Sequence, residues 1–328
     1  RDIQQRSGLE YEMLLEMAEF LKNKKLLSPL WYFILISMTS KNKTAREYYD
    51  QEAPDYKKMY EPRYEKYPAN LIRLKLIIKR LKQNKSRKIL DTGCGTAIPM
   101  IKLLKQGFDV NGFDYSKQMV EFGKSELTSA KYSSKRIFQA DLEKNKTLPT
   151  KKFDAILSLG VFPHIKNEKI ALRNIRNCLN KNGKTFIEFR NELFATFSMN
   201  KYSADFYLNE LIDVQEIPTK VKNELINFYS KKLSIKRPTK QKNGRISYNE
   251  ILAKFRNPLT IEDELFKPEK MKIDKIHFYH YHAMPPNFQS KYPKLFIKLS
   301  KKLEQSDSWK GYFLSSAFVV ESSKIWLF

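Results

Sequence analysis

A chain of 328 residues, 41% of them hydrophobic, is long and apolar enough to bury a substantial core, and its 14 prolines and 10 glycines are too few for a collagen-like or linker-like protein. Two cysteines, Cys94 and Cys178, argue against a disulfide framework and for a reducing compartment. The net charge of +25 invites an anionic partner, yet only 14 of the 61 basic residues are arginine, whose bidentate fork reads phosphates and base edges best. The scattered lysines therefore read first as a solvated surface, with a nucleic-acid groove disfavoured and an acidic small substrate or a membrane surface left open.

From the start of the chain, Leu9, Met13, Met17, Phe20 and Leu21 recur every three or four residues, which predicts an amphipathic helix that Pro29 ends. A second helix is expected within 31–38. The apolar run 26–38, about 13 residues interrupted by Ser28 and Pro29, falls short of the roughly 20 needed to cross a bilayer. No basic-apolar-small leader opens the chain, which begins at Arg1, so a cytoplasmic location is expected. A polar, tyrosine-rich stretch follows over 44–67, punctuated by Pro54 and Pro62.

From Arg87 short apolar runs alternate with helical segments. Strands are predicted at 88–91, 109–114, 136–139, 154–159 and 185–189, with helices at 98–106, 117–129 and 168–179 between them. Such alternation means a parallel sheet, because each parallel crossover needs a covering helix. Residues 191–274 break the rhythm with charged, helical-looking sequence and a loop at 236–244. Two late strands, 276–281 and 312–321, flank a helix at 293–304. The expected fold is α/β: a Rossmann-like, seven-stranded, mostly parallel sheet with helices on both faces. Its expected divisions are a helical cap and lid over 1–68, a core over 69–190, an insertion over 191–274 and the last two strands over 275–328.

The sharpest motif is KILDTGCGTA, residues 88–97, an apolar strand closing on Asp91 and then a turn with Gly93 and Gly95. Glycines belong where a strand-to-helix turn lets a nucleotide touch bare backbone. The second strand, DVNGFD, ends in Asp114, 23 positions on, where an acid can accept hydrogen bonds from ribose hydroxyls. SKQMV with Met119 and IFQADLEK with Asp141 come next. In this order the segments resemble the class I S-adenosylmethionine-dependent methyltransferases. The resemblance covers roughly 44–190, extends to the last two strands, and tolerates Ala97 at the third small position of the turn. It implies S-adenosyl-L-methionine as cofactor. Asp91, Gly93 and Gly95 would hold its methionine part, Asp114 with Tyr115 the ribose, Met119 the adenine face, and Asp141 with Leu142 the adenine amino group. FDAILSLGVFPHI, carrying Leu159, is like the family's segment beside the transferred methyl. YYDQEAPDY is like its lid, with Tyr48, Tyr49 and Tyr56 as the matching aromatics.

Other constellations bear on the acceptor. His164, just past the fourth strand, is placed either as a general base toward a hydroxyl or to orient its loop. Alternation turns Glu188 and Arg190 to one face, opposite Phe189, as a substrate contact or as a structural ion pair. HFYHYHAMPPNF puts His280 and His282 on one face and His277 on the other. Both histidines are candidates for lining an acceptor pocket, and no metal site is expected because no further ligand cluster is near. The EFRNELF segment and the chain's end look like methyltransferases of bacterial surface-polysaccharide biosynthesis. The favoured reaction is methyl transfer to an oxygen or nitrogen of a small-molecule or glycan acceptor. An RNA methyltransferase is the rival within enzymes, although LGVFPH replaces the Pro-Pro-aromatic signature of base methylases. A non-catalytic partner subunit is the rival outside them. The oligomeric state is not legible.

Overall fold

The computed structural model describes residues 48–49, 67–211, 217–233, 253–305 and 308–325. The helices expected over 8–27 and 31–38, most of the tyrosine-rich stretch and the loop at 236–244 lie outside the described residues. The rest forms one mixed sheet of eight strands: β1 (Lys88–Thr92), β2 (Asp109–Asp114), β3 (Ile137–Gln139), β4 (Phe153–Ser158), β5 (Leu179–Asn191), β6 (Phe255–Arg256), β7 (Met271–Tyr281) and β8 (Ser315–Lys324). Their order is β3-β2-β1-β4-β5-β8-β7, with β6 pairing β5 beyond the end of β4. The first five run parallel, whereas β8 pairs antiparallel with both β5 and β7.

The helices are α1 (Ala69–Gln83), α2 (Ile98–Leu104), α3 (Lys117–Ser129), α4 (Glu168–Cys178), the short α5 (Ala195–Ser198) and α6 (Lys201–Phe206), α7 (Thr219–Lys232), α8 (Asn287–Lys291), α9 (Pro293–Leu303) and α10 (Gly311–Leu314). Strand alternation sorts the core into two layers. Leu74, Ile77 and Leu81 of α1 pack with α2 and α3 against Ile89, Val110, Leu157 and Val319. On the other face Ala171, Leu172 and Ile175 of α4 meet Leu90, Ile156, Phe189 and Phe318. Burying an aliphatic side chain of this size is worth about 1.5–3 kcal/mol, so both layers hold the sheet's C-terminal edge rigid. No helix among the described residues is long and apolar enough to cross a membrane.

The strands expected over 185–189 and 276–281 are longer, the one expected over 312–321 begins at Ser315 after α10, and two further elements depart from the sequence reading. Helix α1 was not anticipated; it lies across β7 and β8, where Arg80 Nε and Nη2 donate to the buried Glu321 at 2.7 and 2.9 Å and Asn84 Nδ2 donates at 2.8 Å. The two-residue β6 makes the sheet eight-stranded rather than seven. It is secured by Arg256, whose Nε donates to Glu168 at the start of α4 over 3.2 Å. A strand of two residues shows no alternation, and its partner stands 65 positions earlier.

Candidate active site

The glycine turn is shaped by close packing. Gly93 has φ +76°, and a β-carbon there would lie 2.3 Å from Val161 Cγ2, so both backbone and space demand glycine. Gly93 and Cys94 N–H groups donate to the Phe113 carbonyl at 2.8 and 3.0 Å, which docks the turn on β2. Asp114 at the end of β2 completes the lock, its two carboxylate oxygens accepting from the Gly95 and Ser116 N–H groups, each at 2.9 Å. Ser116 caps α3 by accepting from Met119 N–H at 3.0 Å, and Met119 is buried beside this edge. Tyr115 is half exposed. Asp141 holds its own loop, accepting from Glu143 N–H at 3.0 Å, and Leu142 is buried next to it.

Asp91 lies buried at the end of β1, and burial raises its carboxyl to about 7, with Asp114 pushing the same way and Arg73 opposing. Arg73, buried on α1, also contacts Glu188 of β5, which in turn accepts from the Tyr279 hydroxyl of β7. Burial first, and the Glu188 carboxylate second, hold the Tyr279 phenol far above its ordinary range, so it stays a donor. Glu188 therefore pairs with Arg73 and not with Arg190, whose guanidinium lies over the Phe255 ring at 5.6 Å. Sequence reasoning missed Arg73. Its signal was an arginine on the apolar stripe of an amphipathic helix, next to Leu74 and one turn before Ile77.

Beyond this buried trio opens a cavity of about 490 Å³ over the ends of β5, β7 and β8, whose wall includes Glu188, Arg190, Tyr279, His280 and His282. Tyr67, Phe194, Tyr202 and Phe255 add aromatic surface. Strict alternation would separate His280 from Tyr279, but His280 has φ +58° and both line the cavity. The His280 ring stacks on Tyr67 at 5.1 Å and lies 4.8 Å from the His282 ring. His277 sits elsewhere, 2.9 Å from Glu321. Burial, then the neighbouring His282 and the charges of Arg190 and Arg73, lower His280 to about 3; burial lowers His282 to about 4. Both imidazoles are neutral at pH 7. The two ring nitrogens of His282 are buried with no hydrogen-bond partner among the described residues.

The donor edge and the cavity adjoin. A β-carbon at Gly160, just past Leu159 at the end of β4, would lie 3.9 Å from Glu188 Oε2. His164 ends the single 3-10 turn Phe162–His164 that follows, its Nε2 3.2 Å from the Tyr49 hydroxyl. Tyr48 packs edge-on against Tyr49 at 5.1 Å, and Tyr56 lies outside the described residues. Three groups thus come together in sequence along one sheet edge: Asp91, Gly93, Gly95 and Asp114; then Leu159 and His164; then the cavity.

An open α/β sheet binds ligands at the carboxyl ends of its strands, on either side of the point where strand order reverses, and that is where these residues gather. Residues 90–187 match the family model described as a methyltransferase domain. Over this segment the chain is similar to the class I S-adenosylmethionine-dependent methyltransferases. It is similar to a protein of Haemophilus influenzae, 34% identical over 129 residues, 37% of this chain and 51% of that one. A ubiquinone biosynthesis O-methyltransferase of Pelagibacter ubique is 28% identical over 128 residues, 39% and 52% of the two chains. The glycine N-methyltransferase of Rattus norvegicus is 30% identical over 34% of this chain and 43% of its own. This chain spans about half the length of the curated relatives it matches. Among solved structures, the magnesium protoporphyrin IX methyltransferase of Synechocystis with bound S-adenosylhomocysteine covers 85% of this chain and 97% of its own, at 12% identity and a TM-score of 0.48.

The residues fit the family's cofactor. The turn leaves no room for a side chain at Gly93, and two acids, Asp91 and Asp114, stand close together beside it, a carboxylate pair whose chemistry suits a cationic sulfonium donor. Thr96 Oγ1 and Ser158 Oγ are buried at this edge with no hydrogen-bond partner among the described residues, so polar atoms are available to a ligand.

Proposed function

We propose that this chain transfers a methyl group from S-adenosylmethionine to an oxygen of a small-molecule or glycan acceptor held in the cavity over β5, β7 and β8. The observation that carries the reading is the shared wall: Glu188 borders the cavity on one side and approaches Gly160 of the donor edge on the other. The name of the Pelagibacter relative supports oxygen, and that of the rat relative supports nitrogen as the second choice.

The cofactor supplies an electrophilic methyl carbon. Transfer of that methyl to the acceptor oxygen would leave S-adenosylhomocysteine, and the hydroxyl proton would pass to a base at this edge such as the His164 imidazole, or to water. The chain's contribution is alignment, which can supply about 7–11 kcal/mol of a barrier when the reacting atoms are held in near-attack geometry. Asp114 and the glycine turn fix the donor, and Asp91 and Asp141 hold its two ends. Neutral His282 offers one donor and one acceptor nitrogen, matching a hydroxyl, while His280 and Arg190 position the remainder of the acceptor. His164, tied to Tyr49, closes the lid side and is the nearest base on the β4 loop. In this reading 69–190 holds the donor and 275–328 completes the sheet. Two buried free thiols, Cys94 and Cys178, suit a reducing cytoplasm.

The test is a methyl-transfer screen against phenols, nucleotide sugars, acidic glycans and total RNA, reading S-adenosylhomocysteine. Turnover with a hydroxylated small acceptor, weakened by His282→Ala and Glu188→Ala, is expected. Turnover with RNA alone, or no calorimetric binding of S-adenosylmethionine, overturns the proposal.

A further inference from the structure

The helix α9 has three faces where a surface helix ordinarily needs two. Phe296 and Ser300 face inward and are fully buried. Beside them runs a second apolar stripe, Leu295 and Leu299, that continues from the exposed Tyr292. This stripe borders a groove of about 540 Å³ whose wall includes Leu299, Leu303, Trp309 and Phe313. Leu295 is 48% exposed and Trp309 is 69% exposed. The third face is a row of exposed lysines, Lys294, Lys298 and Lys302, at four-residue spacing. Lys291, over the Tyr292 ring at 5.8 Å, and Lys310 beside Trp309 extend the positive margin. The acid at the end of α9, Glu304, is turned inward to Tyr67 and to the Tyr281 N–H, so it does not offset the row.

An apolar stripe with aromatic side chains and a flanking lysine row matches the water–bilayer boundary, where acyl chains take the one and anionic phosphates the other. We propose that α9 and the Trp309–Phe313 turn dock this protein on anionic phospholipid bilayers. Charge decides among occupants. A second copy using the same patch would bring two lysine rows together. The chain's own apolar run at 26–38 contains no acid to meet them, and a nucleic acid would leave the apolar stripe in water. If the cavity is the acceptor site proposed above, docking has a consequence, because Gln289 of α8 lines that cavity and Ala283 of the groove follows His282. The docked groove then adjoins the cavity wall, which suits an acceptor dissolved in or anchored to the bilayer.

Flotation of the full chain with phosphatidylcholine vesicles, with and without phosphatidylglycerol, reads docking independently of methyl transfer. Binding is expected only with phosphatidylglycerol. Lys294→Glu/Lys298→Glu/Lys302→Glu should weaken it on the order of 100-fold, and Trp309→Ala/Phe313→Ala should weaken it while leaving circular dichroism and donor affinity unchanged. The proposal is overturned by absence of flotation with phosphatidylglycerol, by flotation indifferent to both variants, or by a dimer in sedimentation that the variants dissociate without lipid. Binding of RNA in place of vesicles overturns it as well.

Discussion

Two acids at neighbouring strand ends do different work because their surroundings differ. Asp114 is half buried and accepts two backbone N–H groups, so its carboxylate is pre-oriented at the end of β2, as the proposed ribose contact requires. Hydrogen bonds to a charged group contribute about 1.5–3 kcal/mol, and Asp114→Ala should weaken S-adenosylmethionine binding tenfold or more by calorimetry. Equal affinity would remove Asp114 from the donor site. Asp91 is fully buried and titrates near 7, chiefly through burial. A cationic donor placed beside it favours the ionised form. Donor binding should therefore release protons and tighten as pH rises from about 6 to about 8. Titrations in buffers of different ionisation enthalpy should show the release, and Asp91→Asn should abolish it.

At the scale of elements, α1 and β7 are the supports that turn a sheet edge into a pocket wall. Arg73 reaches from α1 to Glu188, and removing one partner of a buried ion pair costs about 3–5 kcal/mol because the other is left charged and dry. Arg73→Met should lower the unfolding free energy by that order, and Arg73→Met/Glu188→Gln by less, as read by urea denaturation. A double variant no more stable than the single would mean that the pair does not interact as described. At the end of β7 and just past it, the lowered values of His280 and His282, about 3 and about 4, carry a defined sign. The unfolded chain takes up protons on these rings below about 6.5 while the folded chain does not, so stability falls as pH drops from there toward 4. His282→Gln should flatten that slope. The same values mean that neither ring changes charge between pH 6 and 9, and an activity profile with a His282-dependent inflection in that range would contradict the neutral assignment.

For the molecule as a whole, Glu321 joins the C-terminal strand to the rest. Burial alone would raise its carboxyl, but hydrogen bonds from His277, Arg80 and Asn84 outweigh burial and hold it at about 2. A carboxylate with a depressed value contributes stability above its unfolded value of about 4.3 and loses it as pH falls toward 2. Acid unfolding of the intact chain should steepen across that window, and Glu321→Gln should be less stable at pH 7 with a flatter acid limb. Both are readable by thermal melts against pH.

The sequence by itself determined the alternation of parallel strands and covering helices and the motif at the first strand's end, since short apolar runs between helical segments, a glycine turn and an acid closing the second strand are local patterns. The left-handed turn at Gly93 and the capping serine before Met119 are consequences of residues within a few positions of each other, whereas the Val161 methyl that excludes a β-carbon at Gly93 arrives from a distant loop. Only tertiary structure decided the acceptor side. Glu188 meets Arg73 from 115 positions away and Tyr279 from 91, and His280 shares a face with Tyr279 through a left-handed backbone angle that no side-chain pattern announces. Such contacts depend on which strands the chain folds side by side, so their chemistry has no period along the sequence.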